Sequence, residues 1–524
     1  MKLPNIVTIL AGLTLIASAE EDDRLVRASD PQSPEDELKG FSLPDGFEIS
    51  LFAAEPMINK PINLAVDDQG RVWVSSTVEY PYAAERDRWE DELGSRVRDS
   101  RDAIKILEDT DGDGRADTVS DFADGLNIPT GVLPYTREGD KLGCIAWSIP
   151  NIWYLADTTG NGKADHREVL FGPLGYEKDT HGMCSSFRLG PDGWVYATHG
   201  FNNTSKLVAR DGSKAELKSG NVFRFRPDAS SVEVWSRGQV NPFGLAFDHR
   251  GLLYSADCHT APVYQLIQGA TYPHFSNPEP AVGFGPTMIE HTHGSTGICG
   301  IVYVDRGRWG QAWDDHVVIG NPVNSQVHLD RIEFTGSTPK AIEKPDLVTS
   351  EDRWFRPVDL CFGINGELYI ADFYNRIIGH YEVDLDHPGR DRERGRIWRI
   401  THREQTAVKP VRPGKITSDL SAEDPFVRRR AAQQLRIEPE VGRLQELAWV
   451  LGQTPDEDTH LRHTLRLAIL ETLKLDGAIE NLDEIGSDFR PLLRDVPNAD
   501  AAAFLAKQSG LKPQELTHIA RYGD

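Results

Sequence analysis

A strand–turn–strand unit recurs along this chain, and its spacing constrains the fold more than any other feature. Asn63–Val74, Phe187–Tyr196, Gly244–Tyr254 and Asp359–Tyr369 each read as an apolar strand, a polar turn containing glycine, and a second apolar strand. That pattern is a β-hairpin. The turn glycines stand at 70, 193, 251 and 366, with gaps of 123, 58 and 115 residues. These are two, one and two multiples of a period of about 58–62 residues. Degenerate units near Thr130–Asp157 and Gly300–Gly320 fill the two long gaps. Six four-stranded units predict a six-bladed β-propeller over residues 41–402. Phe47–Phe52 and Arg396–Ile400 bracket the array and are expected to complete one blade between them, closing the ring and removing exposed edges.

A second repeat lies inside the first. Leu107–Asp117 returns 48 residues later as Leu155–Asp165, each with oxygen-bearing side chains at alternate positions followed by glycine. This is the ligand pattern of a calcium loop. The first copy offers Asp109, Asp111, Asp113 and Asp117, with Ser120 where a bidentate Glu would stand. The second offers Asp157, Thr159, Asn161 and Asp165, and carries Glu168 at the twelfth position. Apolar β-type runs precede both, so these are expected to be loops between strands that bind calcium structurally. An acidic turn without an ion is the plainer alternative.

The chain has 524 residues, too many for one ordinary core. Its 57 basic and 81 acidic residues give a net charge of −24. That argues against a nucleic-acid partner, whose phosphates require a basic face. Lys2, the apolar run Ile6–Ile16 and Ala17-Ser18-Ala19 read as a secretory signal over residues 1–19, too short to span a membrane comfortably, which predicts an extracytoplasmic protein in the periplasm or secreted. No other segment reads as transmembrane. Residues 20–40 are polar and are expected to be a disordered lead-in. The five cysteines (144, 184, 258, 299 and 361) have neither scaffold nor haem-attachment spacing, so buried thiols are the simplest reading and no covalent haem is expected in this chain. A Pro-containing linker at 403–415 leads into helical patterns over 416–524. There Asp424-Pro425 followed by Val427, Ala431, Ala432 and Leu435 looks like the start of a HEAT-type repeat, a docking surface for a protein partner.

Propeller sites form where loops of several blades converge. Here His181, His199, Asp257, His259, His274, Glu290, His291, His293, Asn321, Asn324, Asp372 and Tyr374 collect at strand ends. A neutral histidine serves as a base near neutrality or as a metal ligand. His291 and His293, two apart, would share one strand face, and Glu290 or His259 could complete a transition-metal site. A hydrogen-bonded polar channel without chemistry is the alternative.

Leu43-Pro44-Asp45-Gly46-Phe47, Ala53-Ala54-Glu55-Pro56, Ala371–His380 and Arg390–Ile400 carry a resemblance over about residues 40–402. The chain resembles the quinoprotein glucose/sorbosone dehydrogenase group, and within it the membrane-bound dehydrogenase propeller proteins of planctomycetes and verrucomicrobia. The resemblance implies pyrroloquinoline quinone at the mouth of the propeller channel, a small carbohydrate or polyol substrate, and an external acceptor or cytochrome. It implies His181 as the base, and Asn241, Arg356, His199 and His259 around the cofactor. The family's Arg-Asn-Pro segment reads Val240-Asn241-Pro242 here, and Val358 replaces a second arginine. Three functions follow: a quinone-dependent sugar or alcohol dehydrogenase, a non-catalytic glycan- or protein-binding propeller, and a metal-dependent hydrolase or lactonase in the same funnel.

Overall fold

The repeated hairpins give strands with little polar surface; all of Asn151–Asp157 is buried. Such strands require packing on both faces, and a ring of sheets provides it. The computed structural model describes residues 25–523 apart from 276, 296, 378, 380–382, 409–417 and 483–486. Its sheets are antiparallel. The innermost strands are Pro61–Val66, Gly131–Pro134, Cys184–Leu189, Asn241–Phe247, Ile301–Val304 and Pro357–Phe362. Each touches the next and the last touches the first, so the molecule is a six-bladed β-propeller.

Blades one, two and three are four-stranded, the third carrying an extra hairpin, Thr204–Val208 with Lys214–Lys218. Blade four has three strands (Asn241–Phe247, Leu253–Cys258, Val263–Leu266). Blade five has four and gains Phe41–Ser42 at its outer edge. The ring closes in blade six, where Phe47–Ala53 pairs with Arg396–His402 in the register Phe47↔His402 and Leu51↔Trp398. The four turn glycines have φ between 75° and 94°. At Gly366 a Cβ would also lie 2.6 Å from the Thr406 carbonyl, so the turn excludes any larger residue.

The core is divided among the inter-blade interfaces. Trp73, Phe122 and Trp153 pack between blades one and two, Trp309 and Trp398 between five and six, and Phe52, Val74 and Tyr369 between six and one. The interface of blades three and four continues outward into the helices. These run over Pro425–Ile437, Leu444–Gln453, Thr459–Leu473, Ala499–Ala506 and Pro513–Tyr522. The first covers the open edge of three-stranded blade four: Arg429 bonds Gln265, and Gln433 bonds Gln268 at 2.8 Å. Buried Asp458 caps the helix Thr459–Leu473 and holds Ser337 and Thr338 at the tip of blade five.

Within the lead-in expected to be disordered over 20–40, the described residues 25–40 include a capped helix. Ser33 caps the short helix Pro34–Lys39, whose Glu37 is buried against Arg396. The local composition is polar, but the partner of its one buried carboxylate lies 359 residues away. The signal segment 1–19 and residues 409–417 of the linker region lie outside the described residues. No helix among the described residues is long and apolar enough to cross a membrane.

Candidate functional site

Inner strands begin, and second strands end, on the same face of the ring. Connections there converge on a cavity of about 750 Å³. Tyr80 and Pro81 come from the long connection 77–102 of blade one, and Asp179 and His181 from the crossing into blade three. Phe201, His259, Val323 and Phe373 follow the second strands of blades three to six. Asn241, Cys299, Arg356 and Val358 lie at or beside the starts of inner strands.

His181 stacks on Tyr80 with centroids 5.1 Å apart and planes 4° from parallel, and the Tyr80 hydroxyl hydrogen-bonds its Nδ1. The His181 backbone N–H donates to Asp179 Oδ1 at 2.7 Å, which fixes the loop that carries the ring. Burial, and then Asp179, push the Tyr80 hydroxyl well above its ordinary pKa, so it stays protonated.

Arg356 is a buried cation in the wall. Its Nε donates to the Asn375 carbonyl at 3.0 Å and its Nη1 to the Pro322 carbonyl at 2.7 Å and to Ser325 Oγ at 3.2 Å. Nη2 is buried with no hydrogen-bond partner among the described residues. Burial, reinforced by Arg27, pushes this guanidinium down to about 9, while Asp372 and Asp352 act in the opposite direction. Arg356 thus places a positive charge in the cavity wall, with Nη2 itself enclosed there. Arg390 and Arg392 also line the cavity, against Asp179 and Asp391, and Asp391 is already paired with Lys60 at 2.9 Å. The lining thus suits an anionic ligand. Phe201, Phe243, Phe275 and Phe373 supply apolar walls. Phe275 is 67% exposed and meets Phe201 edge-on at 5.9 Å.

The other sequence candidates divide. Asn241 lines the cavity, but its Oδ1 accepts from the Phe201 backbone at 3.2 Å, so it shapes the wall. His259 lines the cavity near Phe275. His199 is not brought there: it is buried in blade three, bonded to Ser219 O at 2.9 Å and Ser205 Oγ at 2.8 Å, and burial lowers its pKa to about 4. Val240 is buried outside the lining, while Val358 faces the cavity. His291 and His293 converge away from the cavity on Asp330; Glu290 instead pairs with Lys340 at 3.2 Å.

Both acidic loops join the third and fourth strands of their blades, as their flanking runs predict. In the first, Asp109, Asp111 and Asp117 bring carboxylates close enough to share a cation. Asp109 accepts from the Gly112 and Gly114 N–H groups, and Asp113 from Arg115 N–H. In the second, Asp157 gathers the N–H groups of Thr159, Gly160, Asn161 and Gly162, while Asp165 takes Thr158. Glu168 is committed to Arg137 at 2.6 Å and Arg210 at 2.7 Å.

Tyr80, Asp179, Arg390 and the phenylalanine walls were missed in the sequence. The one available signal was the length of the 77–102 connection, since long ordered loops tend to be functional. Cys258 and Cys299 meet in the cavity wall, and all five cysteines are free thiols.

A family model described as a domain of unknown function (DUF7133) matches residues 33–404. No curated protein matches the chain. Among solved structures, a glucose dehydrogenase-type oxidoreductase of Thermus thermophilus is 16% identical, covering 68% of this chain and 100% of that one, with a TM-score of 0.46. The PQQ domain of Coprinopsis cinerea pyranose dehydrogenase is 13% identical (69% and 97% covered, TM-score 0.44). The PQQ-bound aldose sugar dehydrogenase of Streptomyces coelicolor is 16% identical (69% and 100% covered, TM-score 0.44). These likenesses are of overall form only.

Proposed function

We propose that this chain, which belongs to the DUF7133 family, is an extracytoplasmic propeller that oxidises a hydroxyl group of a small sugar or polyol, with a pyrroloquinoline-quinone-type group in its cavity. The observation that carries the reading is the meeting in one cavity of a hydrogen-bonded histidine, His181, with three arginines, Arg356, Arg390 and Arg392. When bound, a quinone of this type supplies a two-electron acceptor for the carbinol hydride. Arg390 and Arg392, with the positive charge of Arg356 in the wall behind them, would hold its carboxylates; the valines at 240 and 358 leave fewer cations than the quinoprotein pattern, so these three would bear more of the charge. With its Nδ1–H donating to the Tyr80 oxygen, His181 takes the hydroxyl proton at Nε2. Tyr80 holds the imidazole plane by stacking and through its hydroxyl, and Asp179 anchors the His181 backbone. The phenylalanine walls exclude water and pack on sugar C–H faces.

Calcium in the Asp109 loop would brace blade one, and electrons would leave to an external acceptor. The helices beyond residue 424 offer a surface for a protein partner. A second reading, sugar binding without turnover, is favoured by exposed Phe275 at the cavity mouth. A metal-dependent hydrolase finds no support in the cavity, because neither three-ligand group among the described residues lines it. The test is dye reduction by signal-free protein loaded with the quinone and calcium, over a panel of sugars and polyols. Turnover that His181→Ala lowers by at least a hundredfold is expected. No turnover on any panel member by protein that binds the sugars would overturn the dehydrogenase reading in favour of the second.

A further inference from the structure

Outside the cavity, the segment leading into blade five brings two imidazoles onto one carboxylate. His291 Nε2 lies 3.0 Å from Asp330 Oδ1, and His293 Nε2 lies 3.0 Å from Asp330 Oδ2. Asp330 sits in the strand Gln326–Thr335 and is fully buried. The ligand atoms of all three residues lie within 4.8 Å of one another. Nitrogen and oxygen ligands of a zinc-type ion stand at about 2.0–2.2 Å from the metal. Tetrahedral angles then place them roughly 3.3 Å apart, so small side-chain adjustments suffice.

The hydrogen pattern calls for a positive charge on the cluster, supplied either by a second proton on His293 or by a metal ion. With Asp330 accepting from both rings, each Nε2 must carry a hydrogen. In a neutral His293 that leaves Nδ1 a bare acceptor, buried without a hydrogen-bond partner among the described residues and 3.8 Å from the Glu343 carboxylate. Two acceptors would face one another. A cation on Nε2 moves the hydrogen to Nδ1 and turns it toward Glu343, the carboxylate–histidine–metal relation that orients metal-bound imidazoles. The His293 ring is also held in place. It stacks on His328 at 4.2 Å and 12°. His328 is itself fixed by Asp346 at 2.6 Å and by the Asn321 amide at 3.0 Å. His291 is the solvent side of the cluster, its ring 20% exposed, which leaves a route of entry and an open position.

We propose that His291, His293 and Asp330 form a site for one divalent transition cation of the zinc class, distinct from the acidic loops. Two neutral nitrogen ligands select a borderline-soft ion over calcium or magnesium. The ion pins the irregular segment before blade five to its third strand. The same segment is tied to the cavity rim, because the His293 carbonyl accepts from Asn321 at 3.2 Å and from Asn324 at 2.8 Å, and Pro322 and Val323 line the cavity. The role is therefore structural support of the cavity wall, independent of the reaction there.

The test is metal analysis and cobalt spectroscopy on the full chain, stripped with chelator and then dialysed against Zn²⁺ or Co²⁺ with excess Ca²⁺ to fill the acidic loops. One tightly held zinc per chain is expected, with a cobalt d–d spectrum that zinc abolishes. His291→Ala, at the exposed ligand, should lose the spectrum and weaken zinc retention at least tenfold while keeping the parent circular dichroism. Asp109→Ala should keep both. Parent-like zinc and cobalt binding in His291→Ala, or a folded parent chain that retains no zinc, would overturn the proposal.

Discussion

Arg396 is the fully buried cation where the ring closes, and removing it gives a prediction with a definite size. Its guanidinium reaches Glu37, Glu55 at 3.1 Å and the Gln32 carbonyl at 2.6 Å, and lies 3.7 Å over the Tyr374 ring. It thus ties the helix Pro34–Lys39 and the segment just after the strand Phe47–Ala53 to the last blade. Arg396→Leu keeps much of the bulk and leaves Glu37 buried without its cation. Removing one partner of a buried pair costs about 3–5 kcal/mol, and the lost ring contact falls within that range because the contacts share one group. Glu37 already titrates well above its ordinary value, through burial and then Asp372, with Arg396 opposing. Without Arg396 it moves further up, so the folded variant holds a proton that the unfolded chain has released. Stability of the variant should then fall as pH rises above the ordinary glutamate range, by up to about 1.4 kcal/mol per pH unit. The assay is urea unfolding followed by tryptophan emission, with Trp398 on the same strand as reporter. Arg396→Leu should lose about 3–5 kcal/mol at pH 8, and Glu37→Gln in the same chain should restore at least about 1.5 kcal/mol. A loss below about 1 kcal/mol, or no restoration, would refute this account of ring closure.

Three further outcomes are expected. Asp458→Ala removes a helix cap and the bonds to Ser337 and Thr338; a loss of about 2–4 kcal/mol should appear as faster hydrogen exchange across Thr459–Leu473. Burial holds His199 near 4 against an ordinary value of 6.5, so between those values the unfolded chain binds a proton that the folded chain refuses. Stability is therefore lost on acidification through that window, and His199→Gln should flatten the parent's slope by up to about 1.4 kcal/mol per pH unit, read as variant minus parent in urea melts from pH 7 to 4. Asp109→Ala should weaken calcium binding calorimetrically by at least tenfold, whereas Glu168→Gln, at a carboxylate already held by two arginines, should leave it within twofold.

The propeller was legible because its signal is local and repeated. The Asp67–Gly70 and Asp248–Gly251 turns carry their own bonds, Asp67 accepting from Arg71 N–H and Asp248 from Leu252 N–H. The helix Pro34–Lys39 escaped notice because Glu37 finds its partner only after the ring closes. At the site, His181 and Arg356 were legible through motif position. Tyr80 was not, because its place beside His181 is set by the convergence of two blades 101 residues apart. The same limit applies to Asp330: His291 and His293 suggest a metal pair, but their carboxylate comes from the third strand of blade five, and adjacent Glu290 points elsewhere.

The most direct measurement is calorimetric titration of pyrroloquinoline quinone into calcium-loaded, signal-free protein and its Arg356→Leu variant. One site of micromolar affinity is expected in the parent, weakened about tenfold in the variant, as follows from loss of a positive charge in the cavity wall. No binding heat in a folded parent protein, or equal affinity in the variant, would contradict the quinone-binding reading.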